Sequence, residues 1–146
     1  MNTELHDLYD KVLLDHNRRP RNHRVIEGGL MGERYNPLCG DRITVFVRVE
    51  ADVIREVSFQ SAGCAISRAS ASLMTEAVNG RMLGDVGVLA DRFRQMITTP
   101  PGEPIDDLGP LSALSGVRLF PTRIKCAVLA WEALGSALVN SRPSSC

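Results

Sequence analysis

The chain has no bias of charge, no long apolar run and no compact pair of metal-binding cysteines. Lys plus Arg and Asp plus Glu number 17 each, so the net charge at pH 7 is zero. A field that weak does not favour a nucleic-acid partner. No apolar stretch approaches the ~20 residues that cross a bilayer, so no membrane association is expected. The start, Met1-Asn2-Thr3-Glu4-Leu5-His6-Asp7, has neither the basic nor the apolar region of a signal peptide. A cytoplasmic location is therefore expected, and with it reduced thiols in place of disulfides. No C-x-x-C occurs, and no H-x-E followed by P-C-x-x-C. A zinc hydrolase or deaminase, which needs an open coordination position and a nearby acid/base, is set aside on that ground. Internal repeats and low-complexity segments are missing as well.

The remainder reads as one ordinary globular domain. Apolar residues make up 44% and charged residues 23% of 146 positions, enough to bury a core without covalent staples. The expected domain covers 1–140. Residues 141–146 carry no pattern and are read as a flexible tail, with Cys146 a bystander thiol. Leu5, Leu8, Tyr9, Val12 and Leu13 recur at helical spacing, and Pro20 ends that helix. Ile43, Val45, Val47 and Val49 alternate with Thr44, Phe46 and Arg48 as in a strand, with a turn at Glu50-Ala51-Asp52 and a return strand from Val53 to Gln60. Helical periodicity resumes at Ile66, Ala69, Ser70, Leu73, Met74 and Ala77, with Gly80 as the stop. It recurs through Val86, Leu89, Phe93 and Met96. The Pro100-Pro101-Gly102-Glu103-Pro104 run predicts an irregular loop from about Thr98 to Leu108, then a short helical turn near Leu111 to Leu114. A last helix is expected from about Arg123 to Val139.

Three distant segments set a cysteine among residues suited to a metal: Cys39-Gly40-Asp41, Gly63-Cys64-Ala65-Ile66-Ser67 and Arg123-Ile124-Lys125-Cys126. Cys39, Asp41, Cys64 and Cys126 offer three thiolates and one carboxylate, a complete tetrahedral set for zinc. In an extended stretch Cys39 and Asp41 point the same way, and Gly40 lets the backbone bend between them. The hairpin begins after Asp41 and ends before Cys64, so its open end brings those two segments together. The intervals of 25 positions from Cys39 to Cys64 and 62 from Cys64 to Cys126 match no compact motif. On the residues alone, a metal or reactive-thiol site and inert core cysteines stay equally open. A structural zinc domain without chemistry is a further alternative. Cys126 is expected in the first turn of the last helix, where free N–H groups favour a thiolate, and Arg123 and Lys125 are read either as supporting charge or as ordinary solvated charge. Arg18, Arg19 and Arg21 belong to a basic cluster, Arg18 to Arg24, read either as a solvated loop or as a docking patch for an acidic partner.

The chain resembles the U-type iron–sulfur assembly scaffolds of the IscU/NifU-N family, in their SufU branch. The shared stretches run from Leu8-Tyr9 to Asp15-His16, then Pro20-Arg21-Asn22 and Asn36-Pro37-Leu38-Cys39-Gly40-Asp41-Arg42. They continue with Gly63-Cys64-Ala65-Ile66-Ser67-Arg68-Ala69-Ser70-Ala71-Ser72 and Phe120-Pro121-Thr122-Arg123-Ile124-Lys125-Cys126-Ala127. The resemblance implies an α+β fold, a small antiparallel sheet of about three strands with helices on one side. It implies a zinc site of Cys39, Asp41, Cys64 and Cys126, sulfur taken as persulfide from a SufS-type cysteine desulfurase, and delivery to a downstream scaffold. It also implies a ligand exchange in which a partner histidine frees one cysteine, with Cys39 as the sulfur acceptor. The related IscU branch carries a histidine where this chain has Lys125, and the stretch from Cys64 to Cys126 is longer here. The alternative within the family is a scaffold on which a [2Fe–2S] cluster is built, iron replacing zinc on the same four donors.

Overall fold

A computed structural model describes residues 3–37 and 40–139; for 3–10 it describes the course of the backbone. The order is α1 (Thr3–Arg18), β1 (Leu30–Asn36), β2 (Asp41–Glu50), β3 (Val53–Ala62), α2 (Ala65–Val78) and α3 (Leu83–Thr98). A 3-10 helix (Gly109–Leu119) and α4 (Pro121–Val139) complete it. The strands form one antiparallel sheet in the order β1-β2-β3. The fold is the expected α+β arrangement.

The hairpin of β2 and β3 is closed by two residues, Ala51 and Asp52, with φ of 51° and 64°. Two positive φ values in a two-residue loop match the right-handed twist of the strands. Ile43, Val45 and Val47 of β2 pair with Ser61, Phe59 and Val57 of β3, which puts the apolar members of both strands on one face. That face is buried under α2 and α4, whose Leu73, Met74, Ala127, Ala130 and Leu134 join the same core. Trp131 of α4 stacks on Phe93 of α3 with ring centroids 4.8 Å apart. Along the opposite face of β1, Met31 and Tyr35 are exposed.

β1 has no place in the sequence pattern. Leu30-Met31-Gly32-Glu33-Arg34-Tyr35-Asn36 does not alternate, because it is an edge strand lying tightly against α4. A Cβ on Gly32 would stand 2.0 Å from the carbonyl oxygen of Ala133 and 2.5 Å from the amide nitrogen of Ala137. Only glycine permits that approach.

The short turn expected near Leu111 is the middle of an eleven-residue 3-10 helix. Asp107 starts it by accepting the Gly109 N–H at 2.8 Å, and Ser112 Oγ accepts the Leu108 N–H at 2.9 Å. The preceding loop, 99–108, is irregular as expected, and Arg118 fastens it by donating to the carbonyls of Pro100 and Glu103. The tail at 141–146, Cys146 included, lies outside the described residues. Among the described residues no helix is long and apolar enough to cross a membrane.

Candidate metal centre

The centre forms where the open end of the β2–β3 hairpin meets the two helices that cover the sheet. Asp41 is the first residue of β2, and the pairing of Arg42 with Ala62 sets it beside Gly63. Gly63 has φ of +143°, and a Cβ there would stand 2.0 Å from Asp41 Oδ1. The glycine is therefore required twice, by its backbone conformation and by the carboxylate packed on it. Asp41 is fully buried. Its Oδ1 accepts the Cys64 N–H at 2.6 Å, and Cys64 Sγ lies 3.4 Å from Oδ2. Cys126 comes from α4, is buried, and has its Sγ 3.8 Å from the Thr122 carbonyl oxygen.

One ligand atom from each of Asp41, Cys64 and Cys126 falls within 4.8 Å of the others. Thiolates sharing a tetrahedral zinc, with bonds near 2.3 Å, stand roughly 3.8 Å apart, so small adjustments suffice to seat one ion. Among the described residues Asp41 makes no ion pair with a cation, and a buried carboxylate left so is costly. A divalent ion held by Asp41, Cys64 and Cys126 would supply that charge, so the donors fit zinc. Cys39, the fourth expected donor, lies outside the described residues; the chain resumes beside it at Gly40 (φ +72°), next to Asp41.

The electrostatics differ from the expectation for Cys126. Its helix starts at Pro121, a residue whose fixed φ and missing N–H suit a first helical position, so Cys126 is in the second turn. The free amides of that helix end are spent before reaching it. Cys64 holds the helix-end position instead: it is the N-cap of α2, with φ −80° and ψ 165° and no capping hydrogen bond from its side chain. Arg123 and Lys125 are exposed on the first turns of α4, and their side chains make no hydrogen bond or ion pair among the described residues.

The basic cluster is set back from the thiols. Arg21 donates its N–H to Ser72 Oγ at 2.8 Å, and Asn22 Nδ2 donates to Thr75 Oγ1 at 3.0 Å. Ser72 is eight residues along α2 from Cys64, or about 12 Å. Arg21 is committed to an ion pair with Asp15 at 2.6 Å, and Arg24 to Glu56 at 2.6 Å, which leaves Arg18 and Arg19 exposed. Residue patterns also give no sign of His16. It is buried, its Nδ1 2.7 Å from Ser72 Oγ and its Nε2 3.6 Å from Glu76 Oε1. The Ser72 hydroxyl thus accepts the Arg21 amide and bonds the His16 ring at once. Burial, reinforced by Arg21, holds its pKa below 6.5 against the opposing pull of Glu76 and Asp15.

The family profile of the NifU-like N-terminal domain matches residues 8–143. Bacillus subtilis (strain 168) has a relative named zinc-dependent sulfurtransferase SufU, 39% identical over 133 residues, covering 91% of this chain and 90% of the relative. The iron–sulfur cluster assembly scaffold protein IscU of Streptococcus pyogenes serotype M1 is 40% identical over 139 residues, covering 95% and 87%. A crystal structure from Fervidobacterium islandicum AW-1, described as a candidate scaffold protein for the SUF system, superposes with a TM-score of 0.81 at 31% identity. It covers 91% of this chain and 98% of that one. The chain belongs to the NifU-like N-terminal domain family and is a SufU-like member of it.

Proposed function

We propose that the protein is a zinc-dependent sulfur carrier of iron–sulfur cluster assembly, loaded by a SufS-type cysteine desulfurase and unloaded onto a downstream scaffold. The observation that carries this reading is the convergence of Asp41, Cys64 and Cys126 within 4.8 Å. Cys39, two residues before Asp41, completes a Cys3Asp set for zinc. The SufU relative, named a zinc-dependent sulfurtransferase, supports the same choice.

Bound zinc would keep the cysteines as thiolates at neutral pH. The transfer itself is a thiolate–persulfide exchange: the Cys39 thiolate attacks the outer sulfur of the desulfurase persulfide. A new S–S bond forms on Cys39, the old one breaks, and the desulfurase cysteine leaves as thiolate. Cys126 lies in α4 and Cys64 caps α2, whereas Cys39 falls in sequence between β1 and β2 and adjoins no helix. A histidine of the desulfurase is the natural replacement donor when Cys39 is released. Arg123 and Lys125 contribute positive charge at the rim, offsetting a donor set of net charge near −2.

Elemental analysis with native mass spectrometry of untagged protein is expected to find about one zinc per chain. Incubation with desulfurase and cysteine, followed by alkylation and peptide mapping, should label Cys39 first. Predominant label on Cys64 or Cys126 would overturn the acceptor assignment. Label on Cys146 alone would mean nonspecific transfer. The second reading, a [2Fe–2S] scaffold, draws support from the IscU relative at 40% identity. Stoichiometric iron with visible charge-transfer absorption and no zinc would establish it; Lys125, which supplies no imidazole, favours zinc.

A further inference from the structure

Ser70 sits six residues beyond Cys64 on α2 and is fully buried. Its hydroxyl donates to the carbonyl oxygen of Ala127 at 2.6 Å, across from α2 to α4. Ala127 directly follows Cys126, so the bonded group is one peptide unit from the thiol. One turn nearer the other thiol, buried Ser67 donates to the Cys64 carbonyl at 3.1 Å. One hydroxyl is thus bonded to the Cys64 backbone and the other to the residue that follows Cys126.

Both helices otherwise contribute apolar residues to one core, Leu73 and Met74 from α2 and Leu134 from α4 among them. Ala71 on α2 and Ala127 and Ala130 on α4 are all buried in the shared core. Such contacts are non-directional, and they fix axial register less sharply than a hydrogen bond does. A metal centre tolerates only about 0.2 Å in its bond lengths. A short directional hydrogen bond beside Cys126 adds the axial register that apolar packing alone sets less sharply.

We propose that Ser70 is a positioning residue of the metal centre: its bond to Ala127 locks α2 to α4 and sets the Cys64–Cys126 separation that one ion bridges. This rests on the reading that those cysteines share a metal. Ser70→Ala leaves a methyl group in place of the hydroxyl, and the Ala127 carbonyl keeps its helical partner, so the fold persists. Ser72→Ala is the control. It removes an equally buried hydroxyl of the same helix, one bonded to His16 and to the Arg21 amide on the side facing α1.

Zinc affinity is measured against a competing chelator, and cobalt substituted for zinc reports ligand geometry through its d–d bands. Ser70→Ala is expected to weaken zinc binding about tenfold, the lower end of what outer contacts contribute to metal sites, and to shift the cobalt bands. Ser72→Ala should stay within about twofold of the parent, whatever its melting temperature. An unchanged affinity in Ser70→Ala, or an equal loss in Ser72→Ala, overturns the proposal while leaving the metal site standing. A parent protein that binds neither zinc nor cobalt removes the site and this inference together.

Discussion

Asp41 is asked to do two things with one carboxylate. Oδ1 holds the Cys64 amide at 2.6 Å, and Oδ2 is left 3.4 Å from the Cys64 sulfur, where a shared metal would lie. The two roles separate by mutation. Asp41→Asn keeps an amide oxygen for the Cys64 N–H, whereas Asp41→Ala removes it and leaves a partly buried donor without its partner. Both variants should bind zinc about 10–100-fold more weakly in a chelator competition. Asp41→Asn should keep a neutral hydrogen bond, worth roughly 0.5–1.5 kcal/mol, that Asp41→Ala lacks, so Asp41→Ala should melt below it. Equal melting temperatures would show that the amide bond contributes nothing. The donor types and the strand-end position of Asp41 are legible in the sequence. Its neighbour Gly63 is not: that residue looks like an ordinary helix-preceding glycine until its packing on the Asp41 carboxylate is seen.

Among the elements, those with a clean period are legible and those shaped by a neighbour are not. The hairpin and α2, α3 and α4 show their apolar spacing, to within two or three residues at their ends. β1 is hidden because its form answers to α4, and the 3-10 helix because side-chain caps from Asp107 and Ser112 extend it beyond the apolar pair that announces it. The link between α1 and α2 is hidden for another reason: it runs through a buried histidine, and a lone His carries no periodic signal. That link has a pH signature. The folded chain lowers the pKa of His16 below 6.5, so the unfolded chain takes up the proton first. Stability from this group is therefore complete above pH 6.5 and falls as pH drops through 6.5 toward the folded value. Asp15 and Glu56, both held below their ordinary values of 3.8 and 4.5 by Arg21 and Arg24, act in more acid solution. Melting temperatures between pH 7.5 and 5.5 should fall less steeply for His16→Gln than for the parent. Parallel slopes would show that His16 titrates alike in both states.

Over the whole molecule, charge cancels in number but not in placement. Arg21, Arg24, Arg48, Arg55 and Arg92 are held in ion pairs, while Arg18 and Arg19 face solvent beside the segment tied to α2. If that surface guides an acidic desulfurase, reversing Arg18 and Arg19 to Glu should weaken binding about tenfold at low ionic strength, at ~0.7 kcal/mol per exposed charge. The difference should shrink as salt is added. Arg21 is left out of this test because its reversal would break the pair with Asp15. Undiminished affinity at low salt would place docking elsewhere. The meeting of three donors from β2, α2 and α4 belongs to this scale, and the sequence intervals are silent on it because they record only how much chain intervenes. Gly32 gives the assembly a further property. With the Ala133 carbonyl and the Ala137 amide occupying the space of its absent side chain, α4 is wedged against β1 and has no clearance to roll or translate. The helix that carries Cys126 and the strand that leads toward Cys39 therefore share one rigid frame. Whatever shifts at the centre, β1 and α4 shift together, like two boards dovetailed at one joint.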